Sequence, residues 1–189
     1  MDEREKRIVA TAVALAEEGG FEAVRLRDVA AHSGVALGTL YRHFKSKDDL
    51  LVAALAGEAE GLAAHMAKKP PEGATELERV TEYFNAATRT LCRKPKLTRA
   101  VLRAASSDEP GLAHKIRAFH VVSNDLLMQA LRADPSASLA VASEREARIC
   151  NVLQMVWFAA LIGWMSGIHK QNEVVEQVRA AAELVLART

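Results

Sequence analysis

The 189-residue sequence contains two cysteines, five prolines and ten glycines, and aromatic residues make up 5% of it. Cys92 and Cys150 lie too far apart for a zinc site and are too few for a disulfide framework, so we expect buried, reduced thiols. Because proline and glycine are scarce, long stretches keep apolar residues at helical period, and no stretch alternates as a strand does. The sequence therefore predicts an all-α fold.

Patterns that many enzymes carry are also missing. The sequence has no Gly-x-Ser-x-Gly, no phosphate-binding loop and no paired-acid pattern, and none of its six histidines lies four residues from another. These absences disfavour a serine hydrolase, a nucleotide hydrolase and a helical zinc enzyme. We expect no enzymatic activity, no metal and no cofactor.

No charged residue occurs from Val152 to Ile168, a run of 17 residues. A transmembrane helix needs about 20 apolar residues, so we predict a helix buried on every side rather than a membrane span. Its two faces carry, respectively, Leu153, Trp157, Leu161, Trp164 and Ile168, and Val152, Met155, Ala159, Ile162 and Gly163. A homodimer would cover one face with its own core and the other across a two-fold axis, and the sequence leaves open which face crosses.

The net charge of +1 disfavours a protein that coats nucleic acid without sequence preference. Basic residues are nevertheless concentrated in one segment. Between Arg25 and Lys47 there are five arginines and lysines against one acid, Asp28. Such a protein binds DNA through one face and loses affinity as salt rises. The first seven residues are mostly charged and lead into an amphipathic helix, so we expect no signal peptide and a cytoplasmic protein.

The same basic segment has the pattern of two short helices joined by a turn. The first helix is predicted from Arg27 and ends on Gly34, and the second follows this glycine and ends before Ser46. Two short helices with a glycine-containing turn form the helix-turn-helix unit, whose second helix enters the DNA major groove. We therefore predict that the protein binds a double-stranded DNA operator.

Several short motifs lie in register within residues 8–51: Gly20-Phe21, Arg27-Asp28-Val29-Ala30, Gly34-Val35, Gly38-Thr39-Leu40-Tyr41, His43-Phe44 and Lys47. With these motifs, the segment resembles the N-terminal domain of the TetR family of one-component transcriptional repressors. The resemblance implies a nine-helix fold with a helix-turn-helix DNA-binding domain at residues 1–46. Residues 47–189 would form the ligand-binding and dimerisation domain.

The predicted DNA-binding residues follow from the resemblance and from their positions on the second helix. They are Arg25, Arg27, Leu37, Gly38, Thr39, Tyr41, Arg42, His43 and Lys47. By resemblance, Thr39, Tyr41 and Lys47 contact phosphates. The fork of Arg42 matches guanine O6 and N7, and base reading and a phosphate contact stay equally open for it.

Three of these positions have a specific chemical consequence. Leu37 can make only apolar contacts, for example with a thymine methyl group, and Gly38 allows a close approach of the backbone. Arg25 stands where the family usually has Ser or Thr. Because a guanidinium cannot accept a hydrogen bond, we predict that this side chain does not cap the following helix.

Six more helices are predicted after the helix-turn-helix. Their starts are marked by Ser46, Thr75, Pro95, Asp108-Glu109-Pro110, Ser143 and Asn172. The helix that begins after Ser46 is expected to be the one element shared by both domains. By resemblance, the last two helices dimerise as a four-helix bundle, with Leu161, Trp164, Val178 and Val185 at the interface. A symmetric dimer implies a palindromic operator.

The resemblance also implies that a hydrophobic small molecule in the C-terminal domain controls DNA binding. Apolar residues at inward positions are candidates for its pocket, with ordinary core packing as the alternative for each: Phe84, Leu91, Leu102, Phe119, Met128, Met155 and Trp157. The polar candidates at the same depth are Arg103, Asn124 and Gln154. Pockets of this mostly apolar kind, with a few converging polar groups, are typical of small-molecule sites.

A finer similarity concerns the branch of the family that represses cholesterol and steroid catabolism genes. It rests on residues 93–104, Val24 with 35–41, Trp157 and 161–164. That branch responds to steroid-acid CoA thioesters, which implies a steroid-derived or fatty acyl-CoA effector, with Lys96, Arg99 and Arg103 near its charged end. The alternatives are another TetR branch, concerned with drug or lipid efflux or metabolism, and control by a protein partner.

Overall fold

The computed structural model describes residues 2–109 and 111–187. Within them the chain forms nine α-helices and no β-strand, which confirms the predicted all-α class. The helices are α1 (Glu3–Gly19), α2 (Leu26–Ser33), α3 (Leu37–His43), α4 (Lys47–Lys68), α5 (Glu76–Cys92), α6 (Pro95–Ala105), α7 (Leu112–Arg132), α8 (Glu144–Met165) and α9 (Gln171–Leu186). A short 3-10 turn, Phe21–Ala23, connects α1 to α2.

The chain divides into two compact units. Unit 1 comprises Met1–Glu58 and Arg93–Phe119, and unit 2 comprises Ala59–Cys92 and His120–Thr189. Both α4 and α7 therefore run from one unit into the other, whereas the sequence had pointed to α4 alone. This division differs from the functional boundary expected after residue 46, which remains a prediction.

Unit 1 has a single apolar core to which α1, α2, α3, α4 and α6 all contribute. Fully buried members include Ile8, Val24, Val29, Leu40, Leu50 and Leu97. Each such side chain contributes about 1.5–3 kcal/mol by leaving water. Two lysines at the start of α6 also bind α1, because Lys94 pairs with Glu17 at 2.6 Å and Lys96 donates to the Glu18 carbonyl at 2.7 Å. The short helices α2 and α3 thus rest on a larger support.

Unit 2 contains a buried polar network in a mostly apolar interior. The Tyr83 hydroxyl donates to the Ser123 carbonyl at 2.9 Å, and Gln154 Nε2 donates to the Tyr83 hydroxyl at 3.3 Å and to Ser123 Oγ at 3.2 Å. Burial raises the pKa of Tyr83 to about 12, so its hydroxyl stays protonated. Burial likewise raises the pKa of the Cys150 thiol to about 12, and both cysteines are unbridged and buried as expected.

The sequence signals located most helix starts correctly. Ser143 caps α8 in a reciprocal capping box with Glu146, and Thr75 accepts the Glu78 N–H at the start of α5. One expected start is wrong: α9 begins at Gln171 after Lys170, so Asn172 lies inside its first turn. The expected helix opening at Pro110 falls outside the described residues.

Two helices, α4 and α8, are long and apolar enough to cross a membrane by length and composition. Half of the apolar window in α4 and 44% of that in α8 are buried inside the protein. Core helices of water-soluble proteins pass the same test. These two helices are therefore weak evidence for a membrane span.

Candidate nucleic-acid interface

The turn between α2 and α3 is closed by Gly34. Its φ of +68° lies in the left-handed region, which glycine adopts without steric cost. The N–H of Val35 donates to the Ala30 carbonyl at 3.0 Å, which ends α2 and directs the chain into α3. On α3 the side chain of Leu40 is fully buried, and Phe44 beyond its end is 3% exposed. The opposite side of α3 is therefore the side that faces solvent.

All nine predicted DNA-binding residues reach the surface of unit 1. Five of them are exposed: Arg25, Arg27, Gly38, Tyr41 and Arg42. The other four are half-buried: Leu37, Thr39, His43 and Lys47. Tyr41 is 46% exposed, so its ring is not part of the core. Contact of these residues with DNA remains a prediction.

Arg25 occupies the N-cap position of α2, and its side chain makes no capping hydrogen bond there. This confirms the consequence expected from replacing Ser or Thr at this position. The backbone carbonyl of Arg25 still accepts the Val29 N–H at 2.9 Å, which starts the helix. The exposed guanidinium is thus not needed to start α2.

On α3, one guanidinium nitrogen of Arg42 donates to Thr39 Oγ1 at 3.0 Å. The two side chains lie one turn apart on the same face, as residues three apart in a helix do. This bond restricts the fork of Arg42 before any ligand arrives. A restricted side chain loses less rotamer entropy when it binds.

Lys47, at the start of α4, already has partners. Its Nζ donates to the Phe21 carbonyl at 3.2 Å, lies 3.7 Å from a Glu22 carboxylate oxygen, and sits 3.8 Å from the centre of the Phe21 ring. Its predicted phosphate contact therefore requires it to leave or share these groups.

Arg103, expected in the ligand pocket, lies in unit 1 and is directed towards the 3-10 turn. Its guanidinium pairs with Glu22 at 2.9 Å and lies 3.9 Å from the centre of the Phe21 ring. The inward position expected for this side chain is therefore wrong. Its side chain is 59% exposed. Arg103 of α6 and Lys47 of α4 thus share the Phe21 ring and the Glu22 carboxylate. Sequence spacing does not reveal this cluster.

Glu5 is a residue beside α3 that the sequence analysis missed. Its Oε1 lies 3.0 Å from His43 Nδ1, at the end of α3. The hydrogen bond from His43 and the backbone N–H of Asp2 lower the pKa of the Glu5 carboxyl, so it is ionised at neutral pH. Asp2, Glu5 and His43 place ligand atoms within 4.8 Å of one another. Both carboxylates, however, already cap α1.

The predicted effector-binding residues fall into both units. Phe84, Leu91, Asn124, Met128, Met155 and Trp157 belong to unit 2, and Leu102, Arg103 and Phe119 belong to unit 1. Met155 is 57% exposed, so the inward position expected for it is wrong. Within unit 2, Trp157 donates to Thr88 Oγ1 at 2.9 Å, and Phe84 lies against it with ring centres 5.7 Å apart.

Asn124 is the polar candidate with an unmet bonding requirement. It is 6% exposed, and its Oδ1 is buried without a hydrogen-bond partner among the described residues. Leaving such an acceptor unsatisfied costs about 1–3 kcal/mol. Its neighbour Ser123 belongs to the network of Tyr83 and Gln154. Unit 2 therefore offers a buried acceptor that a ligand donor would satisfy.

Two of the four predicted interface residues lie inside unit 2 itself. Leu161 and Val178 are each 1% exposed, whereas Trp164 and Val185 are half-buried. The face of α8 that stays in contact with solvent is the opposite one. It carries Val152 and Met155, and Val152 and Val185 together line a groove of about 280 Å³.

The sequence matches two descriptions of one family. Residues 8–54 match "Bacterial regulatory proteins, tetR family", and residues 73–185 match "Tetracyclin repressor-like, C-terminal domain". This chain belongs to the TetR family. Membership confirms the resemblance seen in the sequence and the predicted architecture, in which a helix-turn-helix domain precedes a helical C-terminal domain.

Curated relatives narrow the position within the TetR family. The HTH-type transcriptional repressor KstR of Rhodococcus jostii is 35% identical over 185 residues, which are 97% of this chain and 83% of the relative. KstR of Mycobacterium tuberculosis is 31% identical, over 97% of this chain and 81% of its own length. Because its family and these relatives are transcriptional repressors, this TetR-family protein is a transcriptional repressor and not an enzyme.

Solved TetR-family structures have the same fold. A TetR transcriptional regulator from Rhodococcus sp. RHA1 superposes with a TM-score of 0.85 and 25% identity, over 98% of this chain and 96% of that one. FadR from Bacillus subtilis, solved in complex with stearoyl-CoA, gives a TM-score of 0.67 at 18% identity, over 96% and 97% of the two chains. The second likeness concerns the fold alone.

Gly38 gives a prediction in which stability and DNA binding change in opposite directions. An added Cβ meets nothing within 4 Å there, and the residue is helical, so Gly38→Ala should stabilise the protein by about 0.5–1 kcal/mol. The same methyl group should weaken DNA binding if the backbone at Gly38 approaches the groove as predicted. Urea unfolding and DNA titration measure the two effects.

Two other glycines provide the controls. Gly57→Ala, in an exposed and open position of α4, should stabilise equally and leave DNA binding unchanged. Gly34→Ala should destabilise by about 1–2 kcal/mol because of its positive φ. Wild-type DNA affinity in Gly38→Ala would contradict the assignment of this face to DNA.

Proposed function

We propose that this protein is a ligand-responsive transcriptional repressor that acts in the cytoplasm. It binds a palindromic operator as a homodimer and is released by a hydrophobic small molecule, a steroid-derived or fatty acyl-CoA. The observation that carries the proposal is the surface formed by α2, α3 and the first residue of α4. There, nine side-chain or backbone positions suited to DNA reach the surface of the helix-turn-helix region that matches the TetR family.

DNA reading divides between phosphates and bases. Arg25, Arg27 and Tyr41 are exposed around α3 and are assigned to phosphates or to the adjoining base edge. Arg42, held by Thr39, is the strongest candidate for guanine, because its fork can donate two hydrogen bonds to O6 and N7. Exposed ion pairs are worth about 0–1 kcal/mol, so a phosphate can displace Glu22 from Lys47.

The dimer interface is assigned to the solvent face of α8 together with α9. Val152, Met155 and Leu184 are 44%, 57% and 81% exposed in the single chain. Burying a fully exposed side chain of this size yields about 1.5–3 kcal/mol, and burying the exposed half of Val152 or Met155 yields roughly half of that. A two-fold axis doubles each contribution. Val185 and Trp164, half-buried in the chain, fit the edge of this interface better than Leu161 and Val178, which already fill the core.

The effector is assigned to unit 2. Its interior combines aromatic side chains with the polar group of Tyr83, Ser123 and Gln154 and the unpartnered Asn124 Oδ1. This mixture suits a large apolar ligand that carries a few polar groups, as a steroid does. The curated relatives are KstR repressors, and the FadR structure with the same fold contains stearoyl-CoA. An acyl-CoA is therefore the proposed class.

Release from DNA requires a ligand that prefers one of two conformations. A ligand with equal affinity for both changes nothing, and reversing a 99:1 population takes about 5.5 kcal/mol of difference. Because α4 and α7 each run through both units, they are the proposed connection between effector and operator. Within unit 1 the two helices are joined by an ion pair between Asp49 of α4 and Lys115 of α7. Lys47, a predicted phosphate contact, lies two residues before Asp49 on α4.

Selection of bound sequences from a random DNA pool tests the proposal directly. Purified protein at moderate salt should enrich a palindromic consensus. If Arg42 reads a guanine, Arg42→Ala should cost about 1–3 kcal/mol and relax the preference at one position in each half-site. If it contacts a phosphate, all sequences should weaken alike and the salt slope should fall by about 2, about 1 for each subunit of the dimer. Absence of any enriched sequence would refute the operator-binding repressor.

A charge on the solvent face of α8 should separate the proposed dimer. Met155→Glu places a carboxylate in the apolar interface and should yield a monomer with unchanged helix content, as measured by sedimentation velocity and circular dichroism. Val141→Glu is the matched control, since Val141 is 69% exposed outside this face. A Met155→Glu protein that sediments as the wild type would place the interface elsewhere.

A steroid-acid CoA thioester or stearoyl-CoA should raise the melting temperature. A ligand at 100 times its Kd stabilises the native state by about 2.7 kcal/mol. Asn124→Leu should reduce this shift, because it removes the buried acceptor. Free CoA is the control for binding through the nucleotide alone. Equal shifts with free CoA and with both thioesters would contradict an apolar effector site.

A further inference from the structure

The start of α1 and the end of α3 are joined by the bond between Glu5 and His43. The two side chains are 29% and 22% exposed, so the contact is partly shielded from water. Glu5 Oε2 accepts the Asp2 N–H at 3.0 Å, and the Asp2 carboxylate accepts the Glu5 N–H at 2.7 Å. The Glu5 carboxylate is thus engaged at both oxygens and cannot rotate without losing a bond.

This arrangement determines how His43 can meet DNA. An ionised carboxylate only accepts hydrogen bonds, so Nδ1 carries the proton that lies between the two side chains. Nε2 is the remaining ring nitrogen, and it has no hydrogen bond among the described residues. Since His43 is the last residue of α3, holding its ring also holds the end of this helix.

A carboxylate beside a DNA-binding helix has an electrostatic cost. Each negative charge near the phosphates opposes binding, so electrostatics alone predicts that removing Glu5 strengthens the complex. A positioning role predicts the reverse. The two explanations therefore differ in the sign of a measurable change.

We propose that Glu5 is a positioning residue for DNA reading: it fixes the ring of His43 and the end of α3 in the orientation that binds the operator. The inference rests on the proposed function and assigns to α1 a part in it. Glu5 itself touches no DNA in this scheme, and acts through His43.

The test compares Glu5→Ala with two neighbouring variants in operator titrations at several salt concentrations. Glu5→Ala should lower the affinity roughly tenfold, the effect of one charge-assisted hydrogen bond. Glu3→Ala removes the same charge from the same turn, but Glu3 is 89% exposed and pairs with Lys6. It should bind at least as tightly as the wild type. Asp2→Ala loosens the start of α1 while sparing the bond to His43, and should bind nearly as the wild type does.

A double-mutant cycle and a spectrum of the free protein complete the design. In a His43→Ala background, Glu5→Ala should cause no further loss, since the interaction is already absent. Imidazole nitrogen shifts of DNA-free protein should show the proton on Nδ1 in the wild type and lose that preference in Glu5→Ala.

The outcomes separate the inference from the proposed function. Wild-type or tighter operator binding by Glu5→Ala overturns the positioning role, and so does an equal loss in the His43→Ala background. A loss of the same size in Asp2→Ala overturns it as well, because the start of α1 alone would explain the effect. Failure of the wild type to select any operator overturns the proposed function before a variant is compared.

Discussion

A helix of seven residues does not hold its shape in water, because nucleation costs more than so few hydrogen bonds return. The recognition helix α3, Leu37–His43, is of this length. Its geometry must therefore come from the groups around it. Leu40 and Phe44 anchor it in the core of unit 1, Gly34 sets the direction of its start, and Glu5 holds its last residue. The proposed reading of DNA by α3 would depend on all three.

The connection from α3 to α4 is fixed in a similar way by residues distant in sequence. Asp49 accepts the Lys45 N–H at 2.9 Å and pairs with Lys115 of α7, and the Ser46 hydroxyl donates to Glu109. These partners precede or begin α7, a helix that continues into unit 2. A conformational change transmitted along α7 would reach the first turn of α4, at the α3–α4 corner, without running along the rest of α4. The sequence pointed to α4 alone because continuity of helical period shows no tertiary partners.

Sequence reasoning succeeded where the signal is local. The glycine at the end of α2, the missing side-chain cap at Arg25 and the capping box at Ser143 each involve groups within a few residues. It failed where contacts are remote, as for Glu5 and His43, which lie 38 residues apart. It left the orientation of α8 open and placed Met155 wrongly at an inward position. When both faces of a helix are apolar, the pattern does not show which face is buried. Met155 was therefore expected inside, whereas it lies on the exposed face.

The contacts also change the charge that DNA would meet. The segment from Arg25 to Lys47 has a local excess of four positive charges by sequence, yet Lys47 shares the Glu22 carboxylate with Arg103, and Glu5 lies against His43. The cations that stand exposed are Arg25, Arg27, Arg42 and Lys45. The salt slope counts neutralised phosphates, about 0.9 for each in duplex DNA. A dimer in which Arg42 reads a guanine and the other three cations of each subunit contact phosphates would neutralise six. Lys47 would add two more if it exchanged Glu22 for a phosphate, so the measured slope distinguishes the two arrangements.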